Sequence, residues 1–399
     1  MTFQFGIDQL LNDPAKLEAL RKMRVALVAH PASMTGSLIH TLDALVEAGC
    51  NMTCAFGPQH GMRGDKQDNM IESGDYLDPI HGIPVISLYG EHRRPTPYML
   101  DDIDIVLFDL QDVGCRIYTY ITTLKYFMEV AATSGKAFWV LDRPNPAGRP
   151  VDGLRLVSGE ESFVGADLLP TRHGLTVGEL AHWYKHTGDL DLELDVIEMS
   201  NYQIDIGELA WPPSQAWVNP SPNAASLNMA RCFPGTVLLE GTQLSEGRGT
   251  TVPLEVIGAP DFPARDILNQ LQSIAPTWCE GAHFRPCYFE PTFHKHVQTM
   301  CSGIQIHTDS AQYDQARFKP YRFIAGCLKV LRQIKPEYDL WRHHEYEYEL
   351  DRVPIDVING GPGLRTWVDD PEQTFEQLET KLDQELEAWL EERSTYLIY

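Results

Sequence analysis

The chain has 399 residues, 43% of them apolar, a length and composition that fit a globular protein of two or three domains with substantial cores. With 32 Lys and Arg against 56 Asp and Glu, the formal charge is −24 and is spread along the sequence. Nucleic acid and anionic membranes reward clustered Lys and Arg, so neither is expected as a partner.

Residues 1–9 carry no basic segment leading into an apolar one, so no signal peptide is read. No apolar run approaches the roughly 20 residues that a membrane-spanning helix needs, and a cytoplasmic location is expected. Eight cysteines, Cys50, Cys54, Cys115, Cys232, Cys279, Cys287, Cys301 and Cys327, form no C-x-x-C pair and sit mostly in apolar surroundings. They read as reduced core residues.

Short apolar runs at residues 25–29, 52–56, 84–88, 105–108 and 137–141 are separated by helix-like segments such as 36–48 and 118–134. Around the latter, Ile117, Ile121, Leu124, Met128 and Ala131 recur at helical spacing. This alternation predicts an α/β fold with a Rossmann-like, doubly wound parallel sheet and right-handed crossovers. Further on, Thr176-Val177-Gly178-Glu179 is a capping box that opens a helix through Leu180, Trp183 and Tyr184. A proline-rich stretch at residues 211–223 precedes the expected domain boundary, giving a sheet domain over 1–230 and a smaller α+β domain over 231–399. The sequence closes on an amphipathic helix, with Pro371 near its first turn and Phe375, Leu378, Leu382, Leu386 and Leu390 on one face.

Doubly wound sheets bind ligands beyond the carboxyl ends of their strands. Here those positions are polar: His30-Pro31, Gln59-His60, Tyr89-Gly90-Glu91, Asp109 with Gln111 and Asp112, and Asp142-Arg143-Pro144-Asn145-Pro146. The densest run, residues 56–64, sets the amide of Gln59, the imidazole of His60 and the guanidinium of Arg63 on a Gly/Pro-shaped turn after a strand. No G-x-G-x-x-G follows the first strand and no phosphate-binding loop is present, so no nucleotide cofactor is expected. The pairs His294-Lys295-His296 and His343-His344 lack the spacing of H-E-x-x-H, and no metal is expected. A serine hydrolase lacks its G-x-S-x-G elbow.

Carboxylates are the better lead. Asp109, Asp112, Asp142, Glu240 and Glu246 are candidates for acid, base or nucleophile in glycoside hydrolysis. Each has a structural alternative: Asp112 as a helix cap, Asp142 as a partner of Arg143 or Arg116, Asp109 as a buried structural acid. Glycines around Ser245-Glu246-Gly247-Arg248-Gly249-Thr250 suggest a tight, ligand-facing turn that exposes backbone N–H groups and centres a charged pair. Tyr89, Tyr118 and Tyr120 at the sheet edge, and Trp211 and Trp217 near the boundary, suit stacking on a sugar ring or plain core packing.

A family resemblance rests on these same residues. Residues 56–64, Leu88-Tyr89-Gly90 with Arg94-Pro95-Thr96, Phe108-Asp109-Leu110-Gln111-Asp112-Val113-Gly114 with Arg116 and Tyr118-Thr119-Tyr120, and Leu141-Asp142-Arg143-Pro144-Asn145-Pro146 belong to it. So do His173-Gly174-Leu175-Thr176 with Gly178-Glu179-Leu180, Ser221-Pro222-Asn223, Glu240-Gly241-Thr242 with residues 245–250, and Tyr396-Leu397-Ile398-Tyr399. Together they span nearly the whole chain and resemble the exo-β-N-acetylmuramidase family (NamZ-like, formerly DUF1343).

The resemblance implies a cleft between two domains and release of terminal N-acetylmuramic acid, or a related amino sugar, from peptidoglycan fragments during cell-wall recycling. The catalytic candidates are then Gln59, His60, Asp112 and Glu246. Tyr89, Tyr118, Asp142, Asn145, His173 and Asn223 are candidates for substrate binding, and Arg63, Arg116, Arg143 or Arg248 would suit the lactyl carboxylate.

This sequence departs from the family at one telling place. The common P-E-H-G, whose glutamate looks like the acid, reads Pro58-Gln59-His60-Gly61, and losing a general acid costs roughly 10²–10⁴ in rate. Many relatives also carry an export signal. Two classes of function follow: a glycosidase in which Glu246, Asp112 or His60 supplies the proton while Gln59 orients substrate, or a sugar-binding or regulatory protein that kept the cleft without turnover.

Overall fold

Strand β1 (Val25–Ala29) is buried at every position and lies at the middle of a seven-stranded sheet. The computed structural model describes residues 2–62, 74–204 and 210–399. Chain order continues through β2 (Met52–Gly57), β3 (Tyr76–Leu77), β4 (Pro84–Ser87), β5 (Ile105–Asp109) and β6 (Ala137–Leu141). Next, β7 (Asp152–Arg155) and β8 (Pro170–Arg172) pair as a separate antiparallel ribbon, and β9 (Leu194–Ile197) returns to the edge of the main sheet. The order is β3-β4-β2-β1-β5-β6-β9, parallel throughout except for β3 against β4.

Alternate residues of each central strand enter different cores, as a two-period strand covered on both faces requires. Ala26, Val28, Val106, Phe108, Phe138 and Val140 join one core, while Val25, Leu27, Ala29, Ile105, Leu107 and Leu141 join the other. The helices Tyr120–Thr133 and Val177–Thr187 contribute to the first; Gly6–Leu11, Pro14–Leu20 and Thr41–Glu47 contribute to the second. The chain winds outward from β1 through β2 to β4, then from β5 through β6 to β9, so the direction switches between β1 and β5. This is the expected doubly wound α/β fold.

The remainder is smaller and mixed. Strands β10 (Val256–Ala259), β11 (His283–Phe289) and β12 (Cys301–His307) form an antiparallel sheet in the order β10-β12-β11. The helix Pro320–Ile334 is buried over most of its length, and its Phe323, Ile324, Leu328 and Leu331 extend the first core without a break.

Four local expectations need correction. Leu390 is 43% exposed, and the fully buried residue in that turn is Trp389. At about 100° per residue, Leu390 lies roughly 80° from the centre of the stripe formed by Phe375, Leu378, Leu382 and Leu386, whereas Trp389 falls inside it. Pro371 also lies outside the helix, which begins at Phe375 after a capping box between Thr374 and Gln377. The helix read over 36–48 is shorter, Thr41–Glu47, and that read over 118–134 is Tyr120–Thr133. The Thr176–Glu179 capping box is present, with Glu179 N donating to Thr176 Oγ1 and Thr176 N donating to Glu179 Oε2. All eight cysteines are free thiols, and seven of them are buried.

Candidate active site

The turn after β2 is shaped by its backbone. Gly61 N donates to Pro58 O at 2.8 Å, and His60, at the third position, has a φ of 70°, which is the left-handed value of a type II turn. A Cβ on Gly57 would lie 2.7 Å from Met62 N, so only glycine lets the chain fold back so closely. The turn stands at the carboxyl edge beside the switch between β1 and β5, where the fold rule expects a ligand.

From the other side of the switch, the loop after β5 brings Tyr118 and Thr119. Thr119 Oγ1 donates to Gln59 Oε1 at 2.8 Å, which fixes the amide so that its nitrogen points the opposite way. Gln59 Nε2 donates to Glu347 Oε1 at 3.2 Å, and Tyr89 OH donates to Glu347 Oε2 at 3.1 Å. Tyr118 OH donates to Ser221 Oγ and Tyr120 OH to Pro220 O, which pin the segment carrying Asn223 to the same edge.

Glu347 sits on an unusual hairpin. Tyr346 and Glu349 exchange backbone hydrogen bonds of 3.3 and 2.9 Å, and the two residues between them, Glu347 and Tyr348, have φ values of 46° and 71°. Two positive φ values mark a type I′ turn, whose central positions normally hold Asn-Gly. Neither Glu nor Tyr belongs there by preference, and each costs of order 1–3 kcal/mol that the surroundings must offset. Three contacts hold the turn: Tyr346 OH on Glu240 Oε2 at 2.7 Å, Arg352 on Glu349, and the Arg93 guanidinium 3.0 Å from the centre of the Tyr348 ring.

Gln59, His60, Tyr118, Asn223, Arg248 and Glu347 line one small cavity of about 40 Å³, together with Thr119, Ser221, Glu240 and Tyr346. Two carboxyl groups face it in different surroundings. Arg248 Nη2 donates to Glu240 Oε1 at 2.5 Å, pairing that carboxylate with a cation. Burial pushes the Glu347 carboxyl up to about 7; the Glu240 charge adds to the rise, while hydrogen bonds from Tyr89 and Gln59 and the charge of Arg93 oppose it.

Other sequence candidates lie off this wall. Glu246 is fully buried, with Lys295 Nζ at 2.8 Å, Arg248 Nε at 3.2 Å and His294 Nδ1 at 3.3 Å. Burial alone would raise its pKa, but the charge of Lys295, the hydrogen bond from His294 and the charge of Arg248 hold it well below the usual carboxylate range. Asp112 accepts from Gly114 N at 2.6 Å and lies 3.4 Å from His173 Nε2. Leu175 N donates to His173 Nδ1, so the imidazole proton is on the nitrogen facing Asp112.

The arginines divide in the same way. Arg116 is buried with Nη2 on the carbonyls of Ile358 and Asn359, Arg143 makes a two-pronged pair with Asp109, and Arg63 lies outside the described residues. Asp142 caps the helix Val177–Thr187 by accepting from Gly178 N and Thr176 Oγ1, and it also accepts from Tyr399 OH. Asn145 ties its own loop to Ala147 N and Leu175 O. Trp211 and Trp217 meet edge to face at 5.0 Å, away from the cavity. Among the described residues, no cluster of three or more His, Cys, Asp or Glu is placed to hold a metal ion.

Glu347 and Tyr346 escaped sequence reading. The alternation Tyr346-Glu347-Tyr348-Glu349 was the available signal, being neither an apolar strand nor a helix face.

Comparison with known proteins agrees with this architecture. Residues 25–228 match the family described as "Exo-beta-N-acetylmuramidase NamZ, N-terminal" and residues 231–399 match its C-terminal counterpart. The chain is 37% identical to the peptidoglycan beta-N-acetylmuramidase NamZ of Bacillus subtilis (strain 168), over 99% of this chain and 91% of that one. A crystal structure of a DUF1343 family protein from Bacteroides fragilis NCTC 9343 superposes with a TM-score of 0.85 at 28% identity, covering 100% of this chain and 99% of that one. A second such protein from the same organism shares the fold, with a TM-score of 0.78 at 24% identity and coverage of 100% and 99%. The chain belongs to the exo-β-N-acetylmuramidase NamZ family.

Proposed function

We propose that this protein is a glycoside hydrolase that removes terminal N-acetylmuramic acid, or a closely related amino sugar, from peptidoglycan fragments. The observation that carries the reading is the pair Glu240 and Glu347, two carboxyls in unlike surroundings facing one cavity. The B. subtilis relative's name supplies the sugar. The cavity draws its walls from both sides of residue 230, in keeping with two domains, 1–230 and 231–399, and a cleft between them. Arg248, already on the wall, would meet the lactyl carboxylate, with Asn223 and Tyr118 beside it. His60 and Gln59 line the same cavity.

A cytoplasmic role in recycling is part of this reading, and eight free thiols suit a reducing compartment. No helix among the described residues is long and apolar enough to cross a membrane. The test is to incubate the purified protein with para-nitrophenyl β-N-acetylmuramide and with the disaccharide of N-acetylmuramic acid β-linked to N-acetylglucosamine. Release of nitrophenol and of free N-acetylmuramic acid is expected, with the matching N-acetylglucosaminides spared. A protein that binds these sugars in calorimetry and cleaves neither is a binder.

A further inference from the structure

Resting on the glycosidase reading, we propose that Glu347 is the acid that protonates the departing glycosidic oxygen, with Gln59 and Tyr89 as the positioning residues that aim it. The chemistry expected of an acid at position 59 is thus carried by a carboxyl hydrogen-bonded to the side chain that stands there.

The hydrogen bonds set the aim. Among the described residues, each carboxyl oxygen of Glu347 receives one donor, Gln59 Nε2 on Oε1 and Tyr89 OH on Oε2. Thr119 Oγ1 donates to the Gln59 oxygen, an arrangement that turns the amide nitrogen toward Glu347. A proton carried by Glu347 therefore takes a remaining lone pair, on a group that lines the cavity. The left-handed backbone points the same way, since a type I′ turn built from Glu-Tyr is retained against its local preference, as strained residues at functional sites are.

The competing carboxyls are less suited. Glu240 is already engaged by Arg248 and Tyr346, and Glu246 and Asp112 do not line the cavity. The titratable and charged groups around Glu347 are Tyr89, Arg93, Glu240 and the neighbouring Tyr346 and Tyr348, with His60 on the same wall. Their balance leaves Glu347 near 7, so it holds a transferable proton at neutral pH.

In the step, the bond from the anomeric carbon to the glycosidic oxygen breaks with its electron pair going to that oxygen, which takes the Glu347 proton and leaves as an alcohol. Water adds to the anomeric carbon and sheds one proton, which restores the protonated carboxyl. The net change is addition of one water.

The experiment compares leaving groups. Nitrophenolate departs without help, whereas a sugar alkoxide needs the proton. Glu347→Gln is expected to slow cleavage of the muramyl disaccharide by roughly 10²–10⁴-fold and that of para-nitrophenyl β-N-acetylmuramide by less than about tenfold. Tyr89→Phe removes a hydrogen bond that lowers the Glu347 pKa, so the alkaline limb of kcat/KM for the disaccharide is expected to move upward. Equal loss on both substrates, undiminished disaccharide cleavage in Glu347→Gln, or an unmoved limb in Tyr89→Phe would each overturn the acid role while leaving the glycosidase reading intact. Wild-type protein inert on both substrates overturns that reading and the acid role with it.

Discussion

Gln59 and Glu347 are joined by a hydrogen bond of 3.2 Å although 288 positions separate them in the chain. The bond links the turn after β2 to a hairpin near the other end of the sequence, so the amide at position 59 is an orienting group for a carboxyl.

Replacing Gln59 by Glu tests that relationship. A carboxylate there removes a donor from Glu347 and sets a like charge beside it, and both effects favour the protonated form. The alkaline limb of the pH–rate profile is expected to move to higher pH in Gln59→Glu, with the two carboxyls titrating as a pair. A limb unchanged from wild type would mean that the two side chains do not meet in solution.

Arg248 pairs with Glu240 and Glu246, both buried. Arg248→Met leaves both acids short of a partner, and removing one member of a buried ion pair typically costs about 3–5 kcal/mol, readable by urea denaturation. Arg248→Lys keeps the charge without the planar fork. In calorimetry it is expected to weaken N-acetylmuramic acid and to spare N-acetylglucosamine, which lacks the carboxylate.

Glu246 offers a pH test of stability. Its folded pKa lies well below the ordinary 4.5, so its stabilising contribution is fully present above that value and is lost as pH falls through the folded pKa. In Glu246→Gln the protein is expected to be less stable at pH 7, because Lys295 loses its buried partner, and to show a shallower acid-induced loss. Chemical denaturation at several pH values measures both. A folded variant with normal stability and no turnover would instead give Glu246 a direct catalytic role.

The closing helix provides a packing test. Trp389→Ala removes a fully buried ring and is expected to cost about 3–5 kcal/mol, whereas Leu390→Ala, at a half-exposed position, should stay within about 0.5 kcal/mol. Comparable losses in the two variants would place Leu390 in the buried stripe beside Trp389.

The sheet was legible because buried parallel strands leave continuous apolar runs, such as residues 25–29, that no helix of that length would need. Strand β9 left no such trace; its Leu-Asp-Val-Ile lies on an edge and is only half buried. The turn bearing Gln59 could be found because Gly57, Pro58 and Gly61 mark it locally. Glu347 could not be found in the same way, since its partners Gln59, Tyr89 and Glu240 are all distant in sequence. Glu246 shows the converse: its flanking glycine suggests a ligand-facing turn, yet the cation that meets it, Lys295, comes 49 residues later.

The span between Gln59 and Glu347 also makes the site depend on both ends of the chain. A chain that stops short of residue 346 holds the amide of Gln59 but no carboxyl for that amide to meet. The site's two walls are therefore completed only by a contact that closes a loop of 288 positions.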